Sequence, residues 1–204
     1  MFDEVIESFA EYFSDQAENP TQLSWTDIRQ EITQISAKIN ISPSLQILLS
    51  TDGGVTKILE ILCKEEVFVE TIVQEVTTCS ELRSPSLAHD LGLNYFEAIN
   101  FREVWLRTAQ TKLVFAISIT PFSRLAPDFT HDLTKADIPI GKLLAQYNIE
   151  SRRDICEIGL KAATVELAEA FHIFPNDLVP YRYYNIVKDG KILMKILEFF
   201  RPDL

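Results

Sequence analysis

Apolar positions recur along the chain with two periods, and the changes between them divide it into elements. Phe2, Val5, Ile6, Phe9 and Phe13 stand three and four apart, the spacing of an amphipathic helix, and "SDQAENP" ends the pattern. This helix reads as an extension over residues 1–20 that either packs on its own domain or lays its apolar face into a partner's groove. "ISPSLQILLSTDGGVTKILEILCK" holds two helical pieces. Pro43 after Ser42 starts the first, and the second follows the Asp52-Gly53-Gly54 turn, where backbone N–H groups can approach a ligand.

A period of two takes over further on. Residues 67–76 ("VFVETIVQEV"), 101–108 ("FREVWLRT") and 112–120 ("KLVFAISIT") are rich in β-branched and aromatic side chains and predict strands, the last two close enough to form an antiparallel hairpin. Residues 137–147 predict a loop entering a short helix, 153–160 a strand, and "TVELAEAFHIF" another helix. "YRYYNIVK" and "KILMKILEFF" flank Asp189-Gly190, a pair that readily takes the positive φ angles of a tight hairpin turn. No internal repeat, low-complexity tract or long linker is visible. Hairpin-joined strands, with helices gathered early and in the later crossover, predict an α+β fold: a single, mainly antiparallel β-sheet with helices packed on it and one core.

Alternation also sorts the charged residues. On a strand, Arg102, Val104 and Leu106 share one face, and Phe101, Glu103, Trp105 and Arg107 the other. A guanidinium beside Val and Leu is costly to bury unless an anion or acceptor meets it there, so Arg102 should face inward to a partner and Arg107 should be solvated. In the last strand Ile192, Met194, Ile196, Glu198 and Phe200 form one row, and Glu198 is its only polar member. Glu198 either pairs with a cation, Arg102 being the obvious candidate, or lines a functional cleft, or reaches water at an edge. Alternation does not separate these. Arg152, Arg153 and Asp154 read most simply as solvated charges at a strand entrance, with the alternative that one arginine turns toward the cleft.

Composition narrows the class. With 204 residues, 47% hydrophobic and 24% charged, one domain is the default. The net charge of -11 opposes nucleic acid and anionic membranes, whose binding draws on surplus Lys and Arg. Cys63, Cys79 and Cys156 lack CxxC spacing, are odd in number, and read as reduced, mostly buried thiols. His89, His131 and His172 stand far apart, so no metal site is expected. No apolar run approaches the roughly 18 residues that span a bilayer, and the acidic N-terminus is unlike a signal peptide. The expectation is a soluble, cytoplasmic protein, or one of an equivalent reducing compartment such as the plastid stroma. No phosphate loop, dinucleotide fingerprint or nucleophile elbow appears.

In order along the chain, "LLSTDGGVTKILE", "REVWLR", "ITPFS", "DIPIGKLL", "RRDICEIG" and "KILEFFRP" resemble the chorismate pyruvate-lyase family over about residues 45–202. The resemblance implies a chorismate lyase-like domain over 21–204, an enclosed site, chorismate as substrate and 4-hydroxybenzoate as product, for quinone synthesis. It also implies that no cofactor is needed. Arg102 of "REVWLR" then matches the strand arginine that takes the ring carboxylate, and Glu198 of "KILEFF" the glutamate at the 4-hydroxyl end. Val55 in "GGVTK" and Ile140 in "IPIGK" match two main-chain contacts. Arg102 and Glu198 are thus the expected catalytic residues, and Val55 and Ile140 complete the binding set. A monomer is expected, with an oligomer left open. The alternative is a non-catalytic aromatic-acid sensor of the same fold, although the acidic N-terminal segment makes a poor DNA-binding region.

Overall fold

A computed structural model describes residues 21–135 and 138–204. The helix expected over Phe2–Phe13 lies outside the described residues. Among the described residues three helices come first: α1 (Trp25–Lys38), α2 (Pro43–Ser50) and α3 (Val55–Cys63). Ser24 and Asp27 form a reciprocal capping box at the start of α1, and the Ser42 hydroxyl accepts the Leu45 N–H at the start of α2, each satisfying donors that a helix leaves open. α1 was not among the expected elements, although Ile28, Ile32 and Ile35 carry its helical spacing.

Strand β1 (Phe68–Thr78), helix α4 (Pro85–Leu91), and strands β2 (Ala98–Arg107) and β3 (Lys112–Pro121) follow. A 3₁₀ turn at Phe122–Arg124 leads to α5 (Pro127–Lys135) and α6 (Ile140–Gln146). The chain ends with β4 (Arg152–Ala162), α7 (Val165–Phe171), β5 (Leu178–Lys188) and β6 (Lys191–Phe200). The six strands of the described residues make one antiparallel sheet in the order β1-β2-β3-β6-β5-β4. Asp189 and Gly190 adopt φ of 50° and 75° between β5 and β6, the hairpin geometry that the Asp-Gly pair predicts.

Two expectations are corrected. The chain does repeat: α2-α3-β1-α4-β2-β3 has the same order as α5-α6-β4-α7-β5-β6, and β3 meets β6 at the centre. The repeat is absent from the residue string because the backbone pattern persists while side chains differ. The left-handed cap after α4, for example, is Gly92 and the one after α7 is His172. Nor is there one core. Leu45, Leu49, Val104, Leu133, Met194 and Phe200 belong to an apolar cluster on one face, under α1, α2, α3, α5 and α6. Phe101, Trp105, Ile117, Phe171, Tyr183 and Leu197 belong to a second on the other face, under α4 and α7.

On that second face the fully buried Lys195 donates to the Tyr183 hydroxyl at 2.5 Å and to Asp90 Oδ2 at 3.3 Å. It thereby ties α4 to the sheet. The row expected on β6 breaks at its start. Leu193 is bulged between the pairs Met194–Ile186 and Ile192–Val187, so Ile192 packs with the second cluster.

Candidate functional site

Helices α3 and α6 lie over the first face of the sheet and leave a cavity of about 460 Å³ between them and the strands, within the usual range of small-molecule sites. Its floor is Arg102, Val104 and Leu106 of β2, Ala116 and Ser118 of β3, Ile196 and Glu198 of β6, and Tyr184 and Ile186 of β5. Gly54, Val55 and Thr56 wall one side, and Pro139, Ile140 and Gly141 the other. All four residues expected at the site, Val55, Arg102, Ile140 and Glu198, therefore border one cavity.

Each is placed by a local feature. Val55 and Ile140 are the first residues of α3 and α6. Gly54 and Pro139, which precede them, offer no side-chain cap. First-turn N–H groups have no acceptor within their own helix, so both walls present backbone donors. Arg102 is buried to 2% exposure. Its Nη1 donates to the Ile138 carbonyl at 3.3 Å and its Nη2 to Thr71 Oγ1 at 3.5 Å, which sets it beside the start of α6.

Glu198 is 5% exposed, and its partner is a correction. The carboxylate is held by Arg182, whose Nε donates to Oε2 at 2.7 Å, and by the Tyr184 hydroxyl, which donates to Oε1 at 3.1 Å. Cross-strand register is the cause: Glu198 stands opposite Arg182 on β5, whereas Arg102 stands opposite Ser118 on β3. Arg182 is fully buried, and its Nη1 also donates to the carbonyls of Leu48 at 2.8 Å and Thr51 at 2.7 Å. It therefore ties the Glu198 end of the cavity to the turn before α3. Burial works against the Arg182 charge, but Glu198 and then Tyr184 outweigh it and raise its pKa. Burial, followed by Glu198, pushes the Tyr184 phenol well above its usual value.

Sequence reasoning missed Arg182 and Tyr184, although a signal was present. Arg182, Tyr184 and Ile186 alternate on β5 as Arg102, Val104 and Leu106 do on β2, and each arginine is the fifth residue of its strand. Arg153 also borders the cavity, whereas Arg152 is turned out and paired with Asp154 at 2.8 Å. Arg107 is not simply solvated: it is half-buried past a register shift at the end of β2 and pairs with Glu70 at 2.5 Å. The Arg107 guanidinium in turn holds the Glu70 carboxyl below its ordinary range.

Residues 49–204 match the model of the family described as chorismate pyruvate-lyase Rv2949c-like. The chain belongs to this family. Proteins similar in sequence agree with that membership. The protein MJ0807 of Methanocaldococcus jannaschii, a lyase by provisional name, is 36% identical over 178 residues, 85% of this chain and 86% of its own. The chorismate pyruvate-lyase of Mycobacterium leprae is 25% identical over 159 residues, covering 76% and 73% of the two chains. That of Mycobacterium tuberculosis strain H37Rv is 25% identical over 166 residues, covering 78% and 80%.

Among solved structures, PhnF of Mycobacterium smegmatis superposes with a TM-score of 0.62 at 10% identity, over 98% of this chain and 96% of that one. Its effector domain superposes at 0.61 and 12% identity, over 74% and 90%. The six-stranded sheet with its helices is thus the fold common to this lyase family and such effector domains. Among the described residues, no helix is long and apolar enough to cross a membrane.

Proposed function

We propose that this chain is a chorismate pyruvate-lyase, converting chorismate to 4-hydroxybenzoate and pyruvate. The observation that carries the reading is the disposition of Arg102 and Glu198 in one cavity, one beside the start of α6 and the other tied to the turn before α3. Arg102 takes the ring carboxylate, joined by the backbone N–H of Ile140. Glu198 meets the 4-hydroxyl end, near the backbone N–H of Val55. Arg182 and Tyr184 occupy one lone-pair direction on each Glu198 oxygen and leave the others to accept the substrate hydroxyl.

The reaction needs little more than this frame. The C3–O bond to the enolpyruvyl group breaks, and the C4 hydrogen leaves as a proton. The electrons of the C4–H bond complete the aromatic ring, and the departing enolpyruvate takes up a proton at its methylene carbon to become pyruvate. Aromatisation drives the step, so the protein's contribution is to hold the ring in a reactive conformation and stabilise charge on the leaving oxygen. Val104, Leu106, Ala116 and Ile196 line the floor with apolar surface, which displaces water and strengthens each charged contact.

The test is incubation of purified protein with chorismate in the presence of a chelator, following 4-hydroxybenzoate and pyruvate by chromatography. Release of both in equal amounts is expected, and Glu198→Gln should slow it while keeping a cooperative thermal melt. Activity that required added metal would overturn the cofactor-free scheme. A second reading rests on the likeness to the PhnF effector domain. Tight, stoichiometric binding of 4-hydroxybenzoate with no turnover would favour that sensor role.

A further inference from the structure

Arg153 is the second residue of β4 and borders the cavity that holds Arg102 and Glu198. Its Nη1 donates to the Asp52 carbonyl at 3.1 Å. Its Nη2 passes the start of α6 so closely that a Cβ at Gly141 would lie 3.9 Å away. Among the described residues, no carboxylate oxygen comes within 4.0 Å of this guanidinium, although the adjacent Arg152 is paired. A guanidinium at the cavity with no protein carboxylate against it leaves a place for an anion of the ligand.

Its position relative to Arg102 follows from the sheet. Arg102, Ser118, Ile196, Tyr184 and Ile155 stand opposite one another in a row across β2, β3, β6, β5 and β4. Four inter-strand spacings put the ends of this row roughly 19 Å apart at Cα. Arg153 is two residues from Ile155 on the same face. The two arginines therefore rise from strands on opposite sides of the cavity floor, and both reach the start of α6, Arg102 at the Ile138 carbonyl and Arg153 past Gly141. The Arg153 charge is felt at the Glu198 end: burial and then Glu198 raise the Tyr184 phenol, while Arg182 and Arg153 act against them.

We propose that Arg153 binds the second acidic group of a dicarboxylate ligand, making the site selective for a ring that carries a carboxylated ether over one with a single carboxylate. The inference rests on the lyase reading for the identity of that group, the carboxylate of the enolpyruvyl ether. When the C3–O bond breaks, that carboxylate leaves with pyruvate. The aromatic product keeps the contacts at its carboxylate and hydroxyl ends but loses the one at Arg153, so Arg153 favours the substrate over the product that would otherwise occupy the site.

Calorimetric titration with two synthetic probes tests this apart from turnover. 3-(Carboxymethoxy)benzoate carries a ring carboxylate and a carboxylated ether, and 3-methoxybenzoate lacks the second acid. Wild-type protein should bind the diacid at least tenfold more tightly. Arg153→Met should reduce the preference to less than threefold while leaving 3-methoxybenzoate affinity almost unchanged, and Arg153→Lys should restore part of it. If Arg153 serves only to pin Asp52, the Met variant weakens both probes alike, which overturns the proposal. So would equal affinities in the wild type, a measurement that needs no variant to fold, or failure of the wild type to bind the diacid. A diacid preference in a protein that does not turn over chorismate would sink the lyase reading and leave the role of Arg153 standing.

Discussion

Glu103 lies on the sheet face turned away from the cavity, between Phe101 and Trp105 of the second apolar cluster. It is 4% exposed and its Oε1 meets no donor. Burial, helped by the charge of Glu75, pushes its carboxyl up to about 7. In the unfolded chain the group titrates near 4.5. Between those values the folded protein holds a proton that the unfolded chain has released. Stability from this group is therefore full below about pH 4.5, falls as pH rises, and is gone above about 7.

A difference of about 2.5 pH units at 1.36 kcal/mol each gives a loss of roughly 3 kcal/mol between pH 4 and pH 8. Glu103→Gln keeps the shape and removes the titration. The amide brings its own fixed cost of burial, so the informative quantity is how the variant's melting temperature relative to wild type changes with pH. At about 2 to 4 °C per kcal/mol for a chain of this size, the variant should gain roughly 6 to 12 °C on the wild type in going from pH 4 to pH 8. Paired calorimetric melts measure it. A melting-temperature difference that stays constant across that range would refute the reasoning, because it would mean that Glu103 is solvated or paired in the folded state.

The two strand arginines should behave differently. Arg102→Ala should weaken 4-hydroxybenzoate binding by about 2 to 5 kcal/mol, the cost of removing one side of a buried charged contact, whereas Arg107→Ala, which breaks a half-exposed pair, should change stability by less than about 1 kcal/mol and binding hardly at all. Equal effects on binding in titration calorimetry would refute the assignment of faces. On β4, a Cβ at Gly159 would lie 2.8 Å from the Tyr181 hydroxyl and 2.9 Å from its ring, and that hydroxyl is held by Glu157. Gly159→Ala should therefore destabilise by about 1 to 3 kcal/mol, as overpacking does; an unchanged melting temperature would show that the ring moves freely.

Features set by neighbours close in the chain are legible in the residue string. The strand periods, the cap at Ser42, the Asp189-Gly190 turn and the inward parity of Arg102 and Glu198 are all local, because alternation and turn geometry act within a few residues. The motif order also carried the family. Tertiary structure decided everything that depends on which strand lies beside which. Parity states that Glu198 faces the cavity but not what faces it across the sheet, and β6 is flanked by β5 and β3, not by β2. Glu198 consequently meets Arg182 and Tyr184, and Arg102 is left at the other end of the site. The same long-range pairing decided that both faces of the sheet are covered. Half-buried and fully buried strands can share an alternating pattern, so the burial of Glu103 follows from α4 and α7 packing on its face. Arg153 was ambiguous for the same reason: a charge at a strand entrance is solvated or cavity-lining according to what lies above it, and here that is the start of α6, from more than ten residues earlier in the chain.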